Sequence, residues 1–200
     1  LCDGDEIPSI VGTQTITTPC QAEQAPWFED FSSTSLLTAP SCWNQYRGFM
    51  PASGTIATSA LTSASSYWTI YNKTLDGVSS NMLRINLYYE DYKYWAVTPS
   101  INLGTDLENP KQIAFSVALT DFANSNPPEM ASPDDRFMVL VSRDNGATWN
   151  MAAGIVFADS DEDTEHNFAD LTNHLQRYAY KLVDENDEPL TGAVRFAFYA

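Results

Sequence analysis

An antiparallel β-sandwich is the fold class this sequence predicts, and two patterns carry the prediction. Apolar residues recur at spacing two in short runs, Ile113, Phe115, Val117 and Leu119 in one and Phe137, Val139 and Val141 in another. That is the spacing of strands that bury one row of side chains. Clusters of Pro, Gly, Asn, Asp and Ser separate the runs, as turns separate the short strands of all-β domains. The composition agrees, because 44% of the 200 residues are apolar and only 18% charged. This is the balance of a folded domain and not of a disordered acidic tail.

The elements can be read in order. Residues 1–25, around the alternating SIVGTQTITT, form an N-terminal connector or tail, and the domain is expected to occupy 26–200. WFEDFSS, with Trp27, Phe28 and Phe31, is strand-like, as is SCWNQYRG, with Cys42, Trp43 and Tyr46. Residues 51–66 are small and hydroxyl-rich, which predicts a surface loop. Trp68 and Ile70, then Leu83, Ile85 and Leu87, alternate in the next two runs. Trp95 and Val97 lead to Pro99, which interrupts the strand before Ile101 and Leu103 resume it. Phe137, Val139 and Val141 are expected to face the core, with smaller or polar neighbours on the other side of the sheet. GIVFA, YAYKLV and VRFAFYA, with Val194, Phe196 and Phe198, supply the last strands. The one helix candidate is NFADLTNHLQRY, where Phe168, Leu171 and Leu175 keep spacings of three and four; it reads as a short helix or a turn crossing the sandwich.

Ten Lys plus Arg against 26 Asp plus Glu give a net charge of −16. Such a field repels phosphate backbones and anionic lipid headgroups, which argues against nucleic acid or membrane surfaces as partners. No apolar run approaches the roughly 18 residues of a membrane span, so no membrane insertion of this chain is expected. The opening LCDGDEIPS also lacks the basic and apolar regions of a signal peptide, so a mature chain or an excised piece is expected.

The most specific string is SRDNGATW, which fits the Asp-box pattern S-x-D-x-G-x-x-W through Ser142, Asp144, Gly146 and Trp149. Its chemistry is structural. The carboxylate and hydroxyls bond turn amides, Gly146 supplies a positive φ, and Trp149 packs beneath a hairpin. Asp-boxes are familiar from sialidase propellers, but there is a single copy here, with no 40-residue repeat and no arginine trio.

Carboxylates invite two other readings. The stretch Asp159–Asn167 and the pairs Asp134/Asp135 and Glu29/Asp30 could ligate Ca²⁺, or could be a solvated charge run and strand-end caps. A carboxylate pair could also hydrolyse glycosides, which keeps a carbohydrate-active enzyme as an alternative. Neither His166 nor His174 sits in a Ser-His-Asp context, and no G-x-S-x-G elbow or Gly-rich phosphate loop occurs. Ten Tyr, ten Phe and five Trp, several in the tract Tyr88–Trp95, could include sugar-stacking platforms or could all be core. Of Cys2, Cys20 and Cys42, the pair Cys20–Cys42 is the preferred disulfide because both flank WFEDFSS; three unpaired thiols are the alternative.

The order of WFEDFSS, PSCWNQY, YWAVTPSINLG, IAFSVAL, DRFMVLVSRDNGATW, RYAYKLV and GAVRFAFYA resembles the cleaved-adhesin and MAM-like jelly-roll domains of Bacteroidetes surface proteins. Coverage runs from about Trp27 to Ala200. The specific parts are Trp95, Thr98, Pro99, Ile101 and Leu103, and the Asp-box residues. The resemblance implies a jelly roll whose closing strand, of I-D-D/N-V character, would follow Ala200. It also implies a secreted or cell-surface, non-catalytic module for cell adhesion or glycan recognition. A structural Ca²⁺ near Glu29 and Asp30 is a further expectation, although Ser32 stands where many members carry a glutamate. Expected partners are a host glycoprotein, a neutral glycan or a basic protein surface. A spacer domain is the blandest alternative.

Overall fold

A computed structural model of the chain describes residues 20–87, 93–128, 135–158 and 164–200. In chain order the strands are β1 (Glu23–Gln24), β2 (Asn44–Arg47), β3 (Thr55–Ala57), β4 (Thr62–Ala64), β5 (Thr69–Leu75), β6 (Val78–Arg84), β7 (Tyr94–Val97) and β8 (Ile101–Asn102). They continue with β9 (Gln112–Val117), β10 (Phe137–Ser142), β11 (Thr148–Asn150), β12 (Ile155–Ala158), β13 (His166–Asn167), β14 (Gln176–Lys181) and β15 (Ala193–Tyr199). Three single 3₁₀ turns are the helical elements among the described residues.

The fold is an antiparallel β-sandwich built on one large sheet ordered β13-β12-β10-β15-β7-β2-β4, with β8 beside β15 and β1 beside β8. Only β1–β8 and β12–β13 pair in parallel within it. Alternation splits its residues cleanly between two faces. Tyr94, Ala96, Phe137, Val139 and Phe157 share one core cluster, which Phe198 flanks. Trp95, Val97, Met138, Leu140, Val156 and Ala197 share the other.

The outer layer over the first face consists of two separate ladders, β5–β6 and β9–β14. Ile113, Phe115, Val117 and Tyr178 of one ladder and Leu83 of the other pack against that cluster. The second face is also covered, by the small ladder β3–β11, with Trp149 and Ile56 over Trp95 and Leu140. This overturns the expectation for the neighbours of Phe137 and Val139, since Met138 and Leu140 are both 0% exposed. Burial on two faces is why FMVLV, IVFA and VRFAFYA are nearly continuous apolar runs.

Local chemistry explains three further departures. WFEDFSS is a loop and not a strand: Phe31 has φ 59°, and the Glu29 and Asp30 carboxylates accept the amides of Phe31 and Ser32 at 2.7 and 2.9 Å, closing two tight turns. Residues 51–66 contain β3 and β4 joined by a 3₁₀ turn at Thr58–Ala60, with Leu61 buried against Met50 and Trp95. Of the helix candidate only the turn Phe168–Asp170 is helical. The Asn167 carboxamide caps it by accepting the Ala169 amide at 2.8 Å, and the chain then extends into β14. Phe168 and Leu171 are buried for tertiary reasons and not as a helix face.

Cys20 and Cys42 are joined in a disulfide with Cα atoms 5.6 Å apart. Cys2 lies outside the described residues. Glu23 and Gln24, the end of the expected connector, form β1 and thus belong to the sheet. Buried Gln45 pins β2 to the start of β5: its amide donates to the Trp68 carbonyl at 2.6 Å and its oxygen accepts the amides of Tyr67 and Trp68.

Candidate functional site

Between the two outer ladders lies a groove of about 1200 Å³, floored by Trp43, Trp68, Phe137, Phe168 and Phe198. The strands meet it in two ways. β5 offers only Tyr71, Lys73 and Leu75, and β15 only Phe196 and Phe198, spacings of two that mark a strand turned face-on to a space. By contrast every residue from Ser80 to Leu87 and from Pro110 to Phe122 lines it. A strand contributes consecutive residues only when its edge borders the space. Among the described residues β6 pairs with β5 and β9 with β14, and neither has a second strand beside it.

The groove lining carries both signs of charge, with Glu29, Asp30, Asp121 and Asp135 on it beside four cations. Lys73, Arg84, Lys111 and Arg177, four of the ten Lys and Arg, line it. Lys111 pairs with Asp106 at 3.6 Å. Lys73 donates instead to the Thr120 hydroxyl and the Asp121 carbonyl at 2.8 and 3.2 Å. Burial, and then the nearby Arg84, lower its pKa from the usual lysine value, with Asp121 opposing. The Arg84 guanidinium lies 4.4 Å from the ring centres of both Tyr71 and Phe122. Lys73, Arg84 and Arg177 have no carboxylate at salt-bridge distance among the described residues.

Aromatic rings build the wall near the opening segment. Trp27 and Phe31 tilt against Trp43 at 6.4 and 5.9 Å, and Phe198 stacks on it at 5.8 Å. The Trp43 indole is 9% exposed, and its N–H is the one buried side-chain donor lacking an acceptor among the described residues. An unmade bond of this kind costs about 1–3 kcal/mol. Trp43, Trp68, Trp95 and Trp149 are all buried, so they are core rather than sugar platforms. Phe28, Phe49 and Phe122 are exposed, at 83, 55 and 62%, as are Tyr67 and Tyr71 at 39% each. Tyr88–Tyr92 lie outside the described residues.

The Asp-box sits elsewhere, on the far side of β10. The Ser142 hydroxyl donates to Asp144 at 2.6 Å and accepts the Gly146 amide at 2.8 Å. Asp144 also accepts the Thr148 amide and hydroxyl at 2.9 and 2.6 Å. Burial raises its pKa, but the donors of Ser142 and Thr148 and the amides of Thr148 and Ala147 outweigh that and hold it down to about 2. Asn145 and Gly146 have φ of 58° and 89°, the double positive φ of a type I′ turn. A Cβ on Gly146 would meet Arg195 Cδ at 2.7 Å. The expected hairpin does not follow: β11 pairs with β3, and the turn redirects the chain away from β10. Trp149 then donates its indole N–H to Thr58 at 2.8 Å and stays buried.

The two histidines lie apart from the groove. His174 is exposed and bonds Asp76 at the β5–β6 turn, which together with the Leu175 amide lowers the Asp76 pKa. His166 bonds Tyr180 and stacks on Phe157. Burial, then Glu165 and Tyr178, push the Tyr180 hydroxyl up to about 12. No serine or cysteine is bonded to either imidazole ring among the described residues.

Glu29 and Asp30 each commit one oxygen to their own turn. The Ser32 hydroxyl and amide lower the Asp30 pKa. Among the described residues no group of three His, Cys, Asp or Glu gathers for a metal. A hard cation takes six to eight oxygens, so this pair alone does not make a site. Asp134 and Asp159–Asp163 lie outside the described residues.

The groove is what sequence reasoning missed. Its signal was present in the rows Ile113–Leu119 and Leu83–Leu87, but pattern alone does not say whether a strand has one neighbour or two. No family model matches the chain, and no curated protein or solved structure matches it either.

Proposed function

We propose that this chain is a non-catalytic, extracellular binding module of cleaved-adhesin or MAM-like type, with a jelly-roll topology and a glycoprotein or neutral glycan as partner. The groove is the observation that carries the reading. It is large enough for a ligand, largely apolar, and lined by carboxylates that are mostly spent on turns, Glu29, Asp30 and Asp121 each accepting a nearby amide. The Cys20–Cys42 disulfide supports a secreted or surface location, where such bonds persist. The charge of −16 disfavours polyanions such as heparin.

Binding to an array of glycoproteins and neutral glycans, without turnover in a hydrolysis screen on the same sugars, is the expected result. Turnover of any bound sugar replaces this reading with a glycoside hydrolase. Calcium near Glu29 and Asp30 would need ligands from outside that pair. Millimolar Ca²⁺ that leaves the melting temperature of chelator-treated protein unchanged removes it.

A further inference from the structure

We infer that Asn145–Gly146 is a latent self-modification site: when the hydrogen bond between Gly146 and Ser142 opens, the chain closes on itself to a succinimide and loses ammonia. The case begins with the turn. Gly146 has φ 89°, and a Cβ there would meet Arg195 Cδ at 2.7 Å, so backbone and packing both demand glycine. Asn145 has φ 58°, a conformation that asparagine tolerates better than most side chains. What suits the turn is therefore a carboxamide followed by the least hindered backbone nitrogen, and this is the one Asn-Gly pair in the sequence. Asn145 is exposed, so water reaches it.

The chemistry needs nothing but water. Gly146 N gives its proton to hydroxide and attacks Asn145 Cγ. A C–N bond forms, the Cγ–Nδ2 bond breaks, and Nδ2 takes a proton from water and leaves as ammonia. Water then opens the imide at one of its two carbonyls. One opening leaves aspartate at position 145; the other leaves isoaspartate, with the former side-chain carbon in the main chain.

The native turn withholds the first step. The Gly146 N–H donates to Ser142 Oγ at 2.8 Å. The Ser142 proton is itself committed to Asp144 Oδ1 at 2.6 Å, so the hydroxyl offers Gly146 a lone pair and no proton. A bond made to the protonated form of a group opposes its ionisation, and the carboxylate behind the hydroxyl disfavours an amide anion further. Arg195 Nε meanwhile donates to Asn145 Oδ1 at 3.3 Å and holds the carboxamide. The Asp-box that builds the turn also guards it.

Release runs one way. Isoaspartate lengthens the backbone between Asp144 and Thr148, whose amide and hydroxyl Asp144 accepts at 2.9 and 2.6 Å. The same turn delivers Trp149 onto Trp95. A brief local opening thus becomes a lasting loosening of β11.

The test follows deamidation by mass spectrometry in mildly alkaline buffer. It compares the folded protein with the blocked octapeptide Ser-Arg-Asp-Asn-Gly-Ala-Thr-Trp, residues 142–149. The peptide should react at least about a hundredfold faster. Ser142→Ala should speed the folded protein about tenfold while the amides of β10 stay protected from exchange, and Ser142→Thr, which keeps the hydroxyl, should remain slow. Should Ser142→Ala also lose the β10 amides, wild type decides alone. Across sub-denaturing urea, the protection of Gly146 against hydrogen exchange and against deamidation should fall in parallel.

Deamidation of the folded protein at the peptide's rate overturns the guard. So does a Ser142→Ala protein that keeps its β10 amides and reacts as slowly as wild type, or Gly146 exchange that rises in urea while deamidation does not. An isoaspartyl form that melts with the wild type, once separated by anion exchange, overturns the lasting loosening.

Discussion

In the large sheet β10 lies between β12 and β15, and β15 between β10 and β7, whereas in the outer layer β6 and β9 each have one neighbour among the described residues. Both regions obey the same alternation, and their apolar residues are of the same kinds. Yet Val139 and Phe137 are 2% and 8% exposed, while Ile113, Phe115 and Val117 are half-buried. The difference lies in lateral pairing rather than in residue type. Burial of a strand's row needs both the sheet beneath it and a strand on each side to close the gaps between side chains.

That comparison breaks or sharpens first at the cores. Trp95→Ala in the large sheet should cost about 3–5 kcal/mol in urea unfolding, because it removes a fully buried ring that packs on Trp149 and Tyr199. Val117→Ala on the groove wall should cost about 1 kcal/mol or less, since its side chain is already partly wet. Equal losses would mean that the outer layer is as tightly packed as the inner one.

The disulfide should rank next. It closes a loop of sequence separation 22, and Cys20→Ser with Cys42→Ser should lower stability by about 3 kcal/mol on the chain-entropy account. Because that loop carries Trp27 and Phe31 to the groove wall, the double variant should also lose Trp43 packing, readable as a red shift in tryptophan fluorescence.

Asp144→Asn should be milder, about 1–2 kcal/mol at neutral pH, since bonds to a charged acceptor are replaced by weaker ones. The sign of its pH dependence follows from its depressed pKa. Its stabilising contribution is complete above about pH 4, the unfolded value, and is lost as pH falls toward about 2. Melting temperatures of wild type and Asp144→Asn should therefore converge across that window; parallel curves would refute the assignment. Smallest of all is Asp76→Asn, which removes an exposed partner of His174. It should leave the melting temperature unchanged within error while freeing the His174 ring in proton NMR.

The fold class was legible because period-two patterning and turn clusters are local facts. The strands at Phe137–Ser142 and Ala193–Tyr199 announce themselves this way. Their burial on both faces was less legible, because alternation such as Phe137 and Val139 hides the equally apolar Met138 and Leu140 unless a second covering layer is known. The loop at Phe31 escaped for the opposite reason: aromatic residues suggest a strand, but side-chain acceptance of the next amides by Glu29 and Asp30 wins locally. The Asp-box residues were legible as a turn from Asp144, Asn145 and Gly146. The pairing of β11 with β3 was not, since Thr148–Asn150 and Thr55–Ala57 are distant in sequence. The groove depends on how two ladders distant in sequence lie beside one another, and no single segment encodes that.

The link between Cys20 and Cys42 has a mechanical meaning as well. A pull applied through the chain before Cys20 passes across the sulfur bridge directly to Cys42 and so to β2 in the large sheet, where several neighbouring strands share the load. Residues 21–41, among them the Trp27 and Phe31 that wall the groove, carry none of that tension. Under reducing conditions the same pull would travel through the two-residue pairing of β1 with β8 and peel the groove wall away first. An oxidised bridge thus lets the chain bear force while the groove wall stays slack.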